Sequence, residues 1–176
     1  MQLKSLQGCR LKIGSYPPFL YNASGGGGKG TLRPSNKDNV LDLSFSSETF
    51  SISPLTSRTT KFLSVPLPPG LTIEISMNKL EGTINTRSGE VFLKFESKFL
   101  FSIGTIVQFP DLLVKTSLIT GKVKGNLHEG EGLTLQENGK TKLVGISIIP
   151  RTGNKILDTF LGLPNEALAE LQCEIK

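Results

Sequence analysis

Between Val91 and Ile103 every second position but one is apolar: Val91, Leu93, Phe95, Phe99, Phe101 and Ile103, with Ser97 the one interruption. Lys94, Glu96, Lys98 and Ser102 stand between them. A period of two sends successive side chains to opposite faces, so this stretch reads as a long strand with one buried face. The pattern recurs along the chain. Leu71, Ile73, Ile75 and Met77 alternate with Thr72, Glu74, Ser76 and Asn78, and Leu41, Leu43 and Phe45 do the same. Near the end, Ala167, Ala169, Leu171, Cys173 and Ile175 alternate with polar or larger neighbours.

Turn chemistry separates these runs. Asn138-Gly139 is a strong hairpin signal between Leu133–Gln136 and Thr141–Ile149. Ser88-Gly89 turns a Leu80–Thr86 strand back into the Val91 strand, and Pro66-Leu67-Pro68-Pro69-Gly70 is a connection. Gly82, Gly125 and Gly145 interrupt otherwise good strands, as glycines do at bulges and bends. Helix is scarce: Ile156, Leu157, Phe160 and Leu161 form one short stripe, stopped by Gly162 and Pro164. The expected fold is all-β, a single curved antiparallel sheet forming a closed or nearly closed barrel, with one short helix near the C-terminus.

Charge divides the chain unevenly. Residues 1–37 contain no Asp or Glu but carry Lys4, Arg10, Lys12, Lys29, Arg33 and Lys37. From Asp38 onward the charges nearly cancel, so the net +5 comes from the leader. An acid-free, basic, hydroxyl-containing N-terminus fits a transit peptide. Its longest apolar run, Phe19-Leu20-Tyr21, is too short for a secretory signal, and its two Arg fit a mitochondrial presequence poorly. The expectation is a disordered leader at 1–37, cut between Asn22 and Lys37, and a single β domain at 38–176. The expected address is the chloroplast, either stroma or thylakoid surface.

Several chemistries are excluded or disfavoured. A nearly neutral domain without Trp or Tyr after residue 37 has neither the positive face nor the stacking groups that nucleic acid requires. No apolar run approaches a membrane span. His128 is the only histidine, so no multi-histidine metal site forms within one chain. The cluster His128, Glu129 and Glu131 lies in a glycine-rich turn and reads as a solvated loop. Gly25, Gly27 and Gly30 match a dinucleotide spacing without the required strand and helix around them. No cofactor, metal ligand or catalytic residue is assigned. A site built from carboxylates alone stays open, because sequence does not show which carboxylates meet.

The candidate binding region is Phe99 to Val114, with ten large apolar residues and one charge, Asp111, in sixteen positions. Alternation breaks there. The residues singled out for an apolar ligand are Phe99, Phe101, Ile103, Ile106, Phe109 and Leu113, as a cavity wall or as a lip facing a membrane or partner. A strand pair covered on both faces gives the same pattern.

Leu143-Val144-Gly145-Ile146 through Pro150, then Leu157-Asp158-Thr159-Phe160-Leu161-Gly162-Leu163-Pro164 and Ala167-Leu168-Ala169, form one set of motifs. Gly82-Thr83-Ile84-Asn85 with Ser88-Gly89-Glu90-Val91 forms another. Over roughly the C-terminal hundred residues the chain resembles an uncharacterised family of all-β proteins from plant plastids and cyanobacteria. The resemblance implies a plastid address and no activity. Three function classes follow: a non-enzymatic binder of an apolar small molecule (lipid, pigment or isoprenoid-like) or of a thylakoid component; a structural or assembly factor acting through protein contacts, a thylakoid protein among them; and an enzyme with a carboxylate-based site. Peripheral membrane contact is compatible with the first.

Overall fold

The structure is a computed structural model that describes residues 1–176. Its strands are β1 (Gln2–Ser5), β2 (Cys9–Ile13), β3 (Phe19–Tyr21), β4 (Gly27–Pro34), β5 (Val40–Phe45), β6 (Thr60–Phe62), β7 (Val65–Pro66) and β8 (Leu71–Asn85). After these come β9 (Val91–Ile103), β10 (Val107–Gln108), β11 (Leu112–Ile119), β12 (Lys122–Lys124), β13 (Glu129–Glu131), β14 (Lys140–Ile149) and β15 (Asn165–Ile175). The one helix, α1 (Lys155–Leu161), lies between β14 and β15.

Eight strands form a hydrogen-bonded ring in the order β1-β4-β5-β8-β9-β11-β14-β15, and β1 returns to β15. All pairings are antiparallel. Closing the sheet on itself leaves no strand of the ring without a neighbour on each side, with β11 and β14 joined at the Ile119–Val144 pair. β15 is long enough to hold two partners on one edge: β1 along Cys173–Ile175 and β2 along Ala167–Glu170. From β2 a branch runs through β3 and β6 to β7. A bridge between Leu55 and Ile73 ties the chain just before β6 to β8.

The expected leader is part of this sheet, which corrects the boundary placed at residue 38. β1 to β4 lie within the first 34 residues, and Leu3, Cys9, Ile13 and Ala23 are buried. The glycine run that reads as disorder is where backbones approach closely. A Cβ at Gly28 would lie 2.9 Å from the Phe50 ring, and one at Gly27 would collide with the Leu3 carbonyl. Bare backbone there lets β4 pair with β1 and lets Phe50 lie over it. Cleavage between Asn22 and Lys37 would remove β1, β2 and β3 from the sheet.

The two alternating stretches 71–77 and 80–86 are one strand. β8 runs through both, and its register to β9 slips between Met77 and Lys79. A β-bulge absorbs one extra residue, so inward positions change from odd (Ile73, Met77) to even (Leu80, Ile84). Gly82 and Gly145, expected to mark bulges, instead permit close strand contact. A Cβ at Gly145 would lie 2.6 Å from the Ser117 carbonyl oxygen. The Asn138-Gly139 and Ser88-Gly89 turns form where expected, with Gly139 and Gly89 at φ 84° and 71°. α1 also forms where expected. Asn154 caps it by accepting from the Ile156 and Leu157 amides, and Gly162 ends it at φ 65°.

A small outer layer covers one side of the ring. The β12–β13 hairpin lies over β14 and β15, and Val144 and Leu168 are fully buried. Beneath the hairpin, the carboxylate of Glu166 accepts from the backbone amides of Asn126 (2.6 Å), Leu127 (3.0 Å) and His128 (2.7 Å). A Cβ at Gly125 would strike this carboxylate, which explains that glycine. The buried Glu166 thus pins the tip of the hairpin to β15. His128 is half-buried rather than solvated, and its Nε2 has no partner.

Candidate ligand-binding cavity

The inward side chains divide the ring interior into two packed clusters. One holds Leu3, Leu43, Leu80, Leu93, Leu143 and Cys173 among others. The second holds Ile13, Leu55, Ile73, Phe101, Ile149 and Leu161 among others. Between them the interior is hollow. On β9, Leu93 and Phe101 are buried, yet Phe95 and Phe99 between them on the same face are only half-buried. Val114 and Thr116 on β11, Ala169 and Leu171 on β15 and Ile75 on β8 behave the same way. All of these border one cavity of about 190 Å³, and 28 of its 33 lining residues are hydrophobic.

Polar groups on the wall are few, and several are already engaged. The Thr116 hydroxyl donates to the Ile146 carbonyl at 3.0 Å, and the Tyr21 hydroxyl donates to the Ser53 carbonyl. The Cys9 thiol donates to the Leu6 carbonyl at 3.3 Å. Two wall hydroxyls, Ser147 on β14 and Ser5 on β1, have no protein partner. Glu170 is the one carboxylate on the wall, with Arg10 Nε 4.0 Å away. Paired-carboxylate chemistry requires a second acid, and the wall carries none. No group of three or more His, Cys, Asp or Glu comes together to hold a metal.

Phe160 on α1 borders the cavity and is 51% exposed, so the cavity lining reaches the surface at the end of the ring that α1 follows, which we take as its mouth. Arg10 on β2 is the other exposed residue on the lining. Strand register shows what surrounds it. Leu71 pairs with Ile103, Phe99 with Leu112, Ile149 with Asn165, Ile13 with Ala167 and Phe62 with Phe19. The β2–β3, β6–β7 and β9–β10 turns and α1 therefore cluster at this one end. Eight of the fifteen exposed large apolar residues lie there: Tyr16, Leu63, Val65, Ile103, Ile106, Val107, Ile156 and Phe160.

Of the six residues expected to bind, Phe99 and Phe101 lie on the cavity wall. Ile103 and Ile106 do not; they are exposed at the mouth end. Phe109 packs against the second cluster, and Leu113 faces outward from β11, half exposed. The excess of apolar residues between Phe99 and Val114 thus divides between a cavity wall and an exposed rim. The wall positions Phe95, Ala169 and Leu171 were legible only as inward strand residues, because alternation is the same around a hollow as around a solid core.

Both thiols bear on stability. Burial, with Cys9 adding a smaller push, raises the Cys173 thiol from its ordinary 9.0 to about 12. Burial, again with Cys9 second, raises Tyr21 from 10.0 to about 12. Between these values the unfolded chain releases protons that the folded chain retains, so stability falls as pH rises above about 9. The acid side has the opposite sign. Burial pushes the Glu166 carboxyl up, but the three backbone amides and His128 outweigh it and hold it below 4.5. That contribution is present above the ordinary carboxylate range and is lost as pH falls through the folded value. Urea midpoints measured across pH are expected to fall on both limbs. Cys173→Ala should flatten the alkaline limb alone; an unchanged alkaline slope would contradict the burial of this thiol.

In comparisons with protein-family models, curated proteins and solved structures, the chain matches none.

Proposed function

We propose that this protein binds an apolar small molecule inside its strand ring, with no chemistry performed on it. One observation carries the reading: inward-facing aromatic and aliphatic side chains at mid-ring enclose open space instead of one another. A dry cavity of about 150 Å³ lined by Leu, Ile and Phe is enough to bind benzene. At about 190 Å³ this cavity takes a small apolar molecule or the end of a longer chain. The free Ser147 and Ser5 hydroxyls supply polar contacts to orient it. The mouth at Phe160 gives a longer ligand a way out toward solvent.

The reading is tested by titrating the full chain with N-phenyl-1-naphthylamine, whose emission rises on leaving water. Saturable uptake of one probe per chain, displaced by a long-chain fatty alcohol, is the expected result. Fluorescence no greater than with a non-binding control protein would refute the reading.

A further inference from the structure

We propose that the mouth end of the ring docks on an anionic lipid bilayer, placing the cavity entrance at the headgroup layer. This rests on the cavity reading above and says where the ligand is exchanged. Three observations support it. The apolar residues at this end are exposed far beyond ordinary surface scatter: Ile106 is 91% exposed, Ile156 71% and Leu63 64%.

The second is the conformation of the β6–β7 tip. Phe62 pairs with Val65, which leaves Leu63 and Ser64 as a two-residue turn with both φ values positive, 53° and 66°. Such a turn favours Asn-Gly, and a bulky Leu adopts positive φ rarely. Neither the turn nor the core gives a reason for a Leu at this tip. Insertion of its side chain between headgroups does.

The third is charge. Lys12, Lys61 and Lys155 stand at or beside this end, and none has a carboxylate within 4.0 Å. Arg151 is there too, close enough to Asp158 to help hold that carboxyl below its ordinary range. Of the acids at this end, Glu74 on β8, opposite Leu100, has no cation within 4.0 Å, and the two in the end connections are engaged. Asp111 pairs with Lys98 at 3.5 Å, and Asp158 accepts from the Thr152 amide and hydroxyl, both at 2.7 Å. Unpaired cations around exposed apolar side chains match an anionic, interfacial surface.

The test is flotation of the full chain with phosphatidylcholine vesicles, with and without about a third phosphatidylglycerol. Binding to the anionic vesicles, weakened by added salt, is the expected result. Ile106→Asp, and separately Leu63→Asn with Ser64→Gly, should each weaken it by about tenfold. The second variant installs the residues the turn favours, so loss of binding there is not loss of folding. Uptake of N-phenyl-1-naphthylamine, measured without vesicles, should not change in either. Equal flotation of the variants would overturn the proposal. So would absence of flotation by a chain that still takes up the probe, which would leave the cavity reading standing. Dimerisation in solution that Ile106→Asp abolishes, without flotation, would also overturn it and assign this end to a second copy. Flotation that depends on Ile106 in a chain that takes up no probe would support docking and remove the cavity reading instead.

Discussion

Removing residues 1–37 should abolish cooperative folding. β1 is the strand that closes the ring, pairing with β15 on one side and β4 on the other. Leu3 is fully buried in the first cluster beside Leu143, Cys173 and Ile175. Without β1 and β4, one edge of β15 and one of β5 are left unpaired, and the core face beneath them meets water. Burying a Leu side chain contributes about 1.5–3 kcal/mol, and this segment also buries Ile13, Cys9 and Ala23. Against a net stability of about 5–15 kcal/mol for an ordinary domain, that loss together with opened edges leaves no folded state. The truncated chain is expected to aggregate, with no sigmoidal urea transition. A truncated chain that is soluble and melts near the midpoint of the full chain would show that β1 to β4 are dispensable.

Gly82→Ala should be the most damaging single methyl addition on β8. Gly82 faces inward opposite Leu93 in the β8–β9 pair. A Cβ there would lie 2.8 Å from the Phe92 carbonyl carbon and 2.9 Å from the Leu93 Cα, and closer still to the Phe92 oxygen. These are backbone atoms of a paired strand, so nothing can rotate away; the two longest strands would have to separate. Overpacking ordinarily costs about 1–3 kcal/mol, and a clash with backbone belongs at or above the top of that range. Urea denaturation should show a loss of about 3 kcal/mol or more. A change within about 0.5 kcal/mol, the range of ordinary surface substitutions, would mean that β8 and β9 do not approach this closely.

The sequence was most informative where side chains alternate. β9, β15 and the two halves of β8 could be read from their periods, and α1 from its stripe and stops. The first 34 residues defeat such a reading for a physical reason. β4 begins Gly27-Gly28-Lys29-Gly30, with almost no side chains to alternate, and its place in the sheet is fixed by backbone contacts with β1 and Phe50. Local pattern carries no trace of such long-range pairing. The slip at Asn78 looked like a strand end because one extra residue inverts the phase. Glu166 was overlooked because a lone carboxylate on an outer face resembles any solvated residue; Gly125, sitting against it, was the only hint. The cavity was half legible. Phe99 and Phe101 were found through apolar excess, but whether inward residues meet each other or leave space is set by ring size and strand tilt, which no single strand encodes.

Ala169→Phe tests the hollow interior most directly. Ala169 faces inward from β15, opposite Gly145 on β14 and Leu11 on β2, and borders the cavity. A phenyl ring there has open space to enter if the interior is hollow. The variant should then keep or exceed the stability of the unaltered chain in urea, because filling a cavity restores contacts that its lining lacks. At the same time it should lose saturable uptake of N-phenyl-1-naphthylamine. The paired readout is the test: stability retained with binding lost. A destabilisation of about 1–3 kcal/mol, as overpacking of a solid core produces, would show that the space is not there. Undiminished probe uptake in a stable variant would show that the probe binds elsewhere.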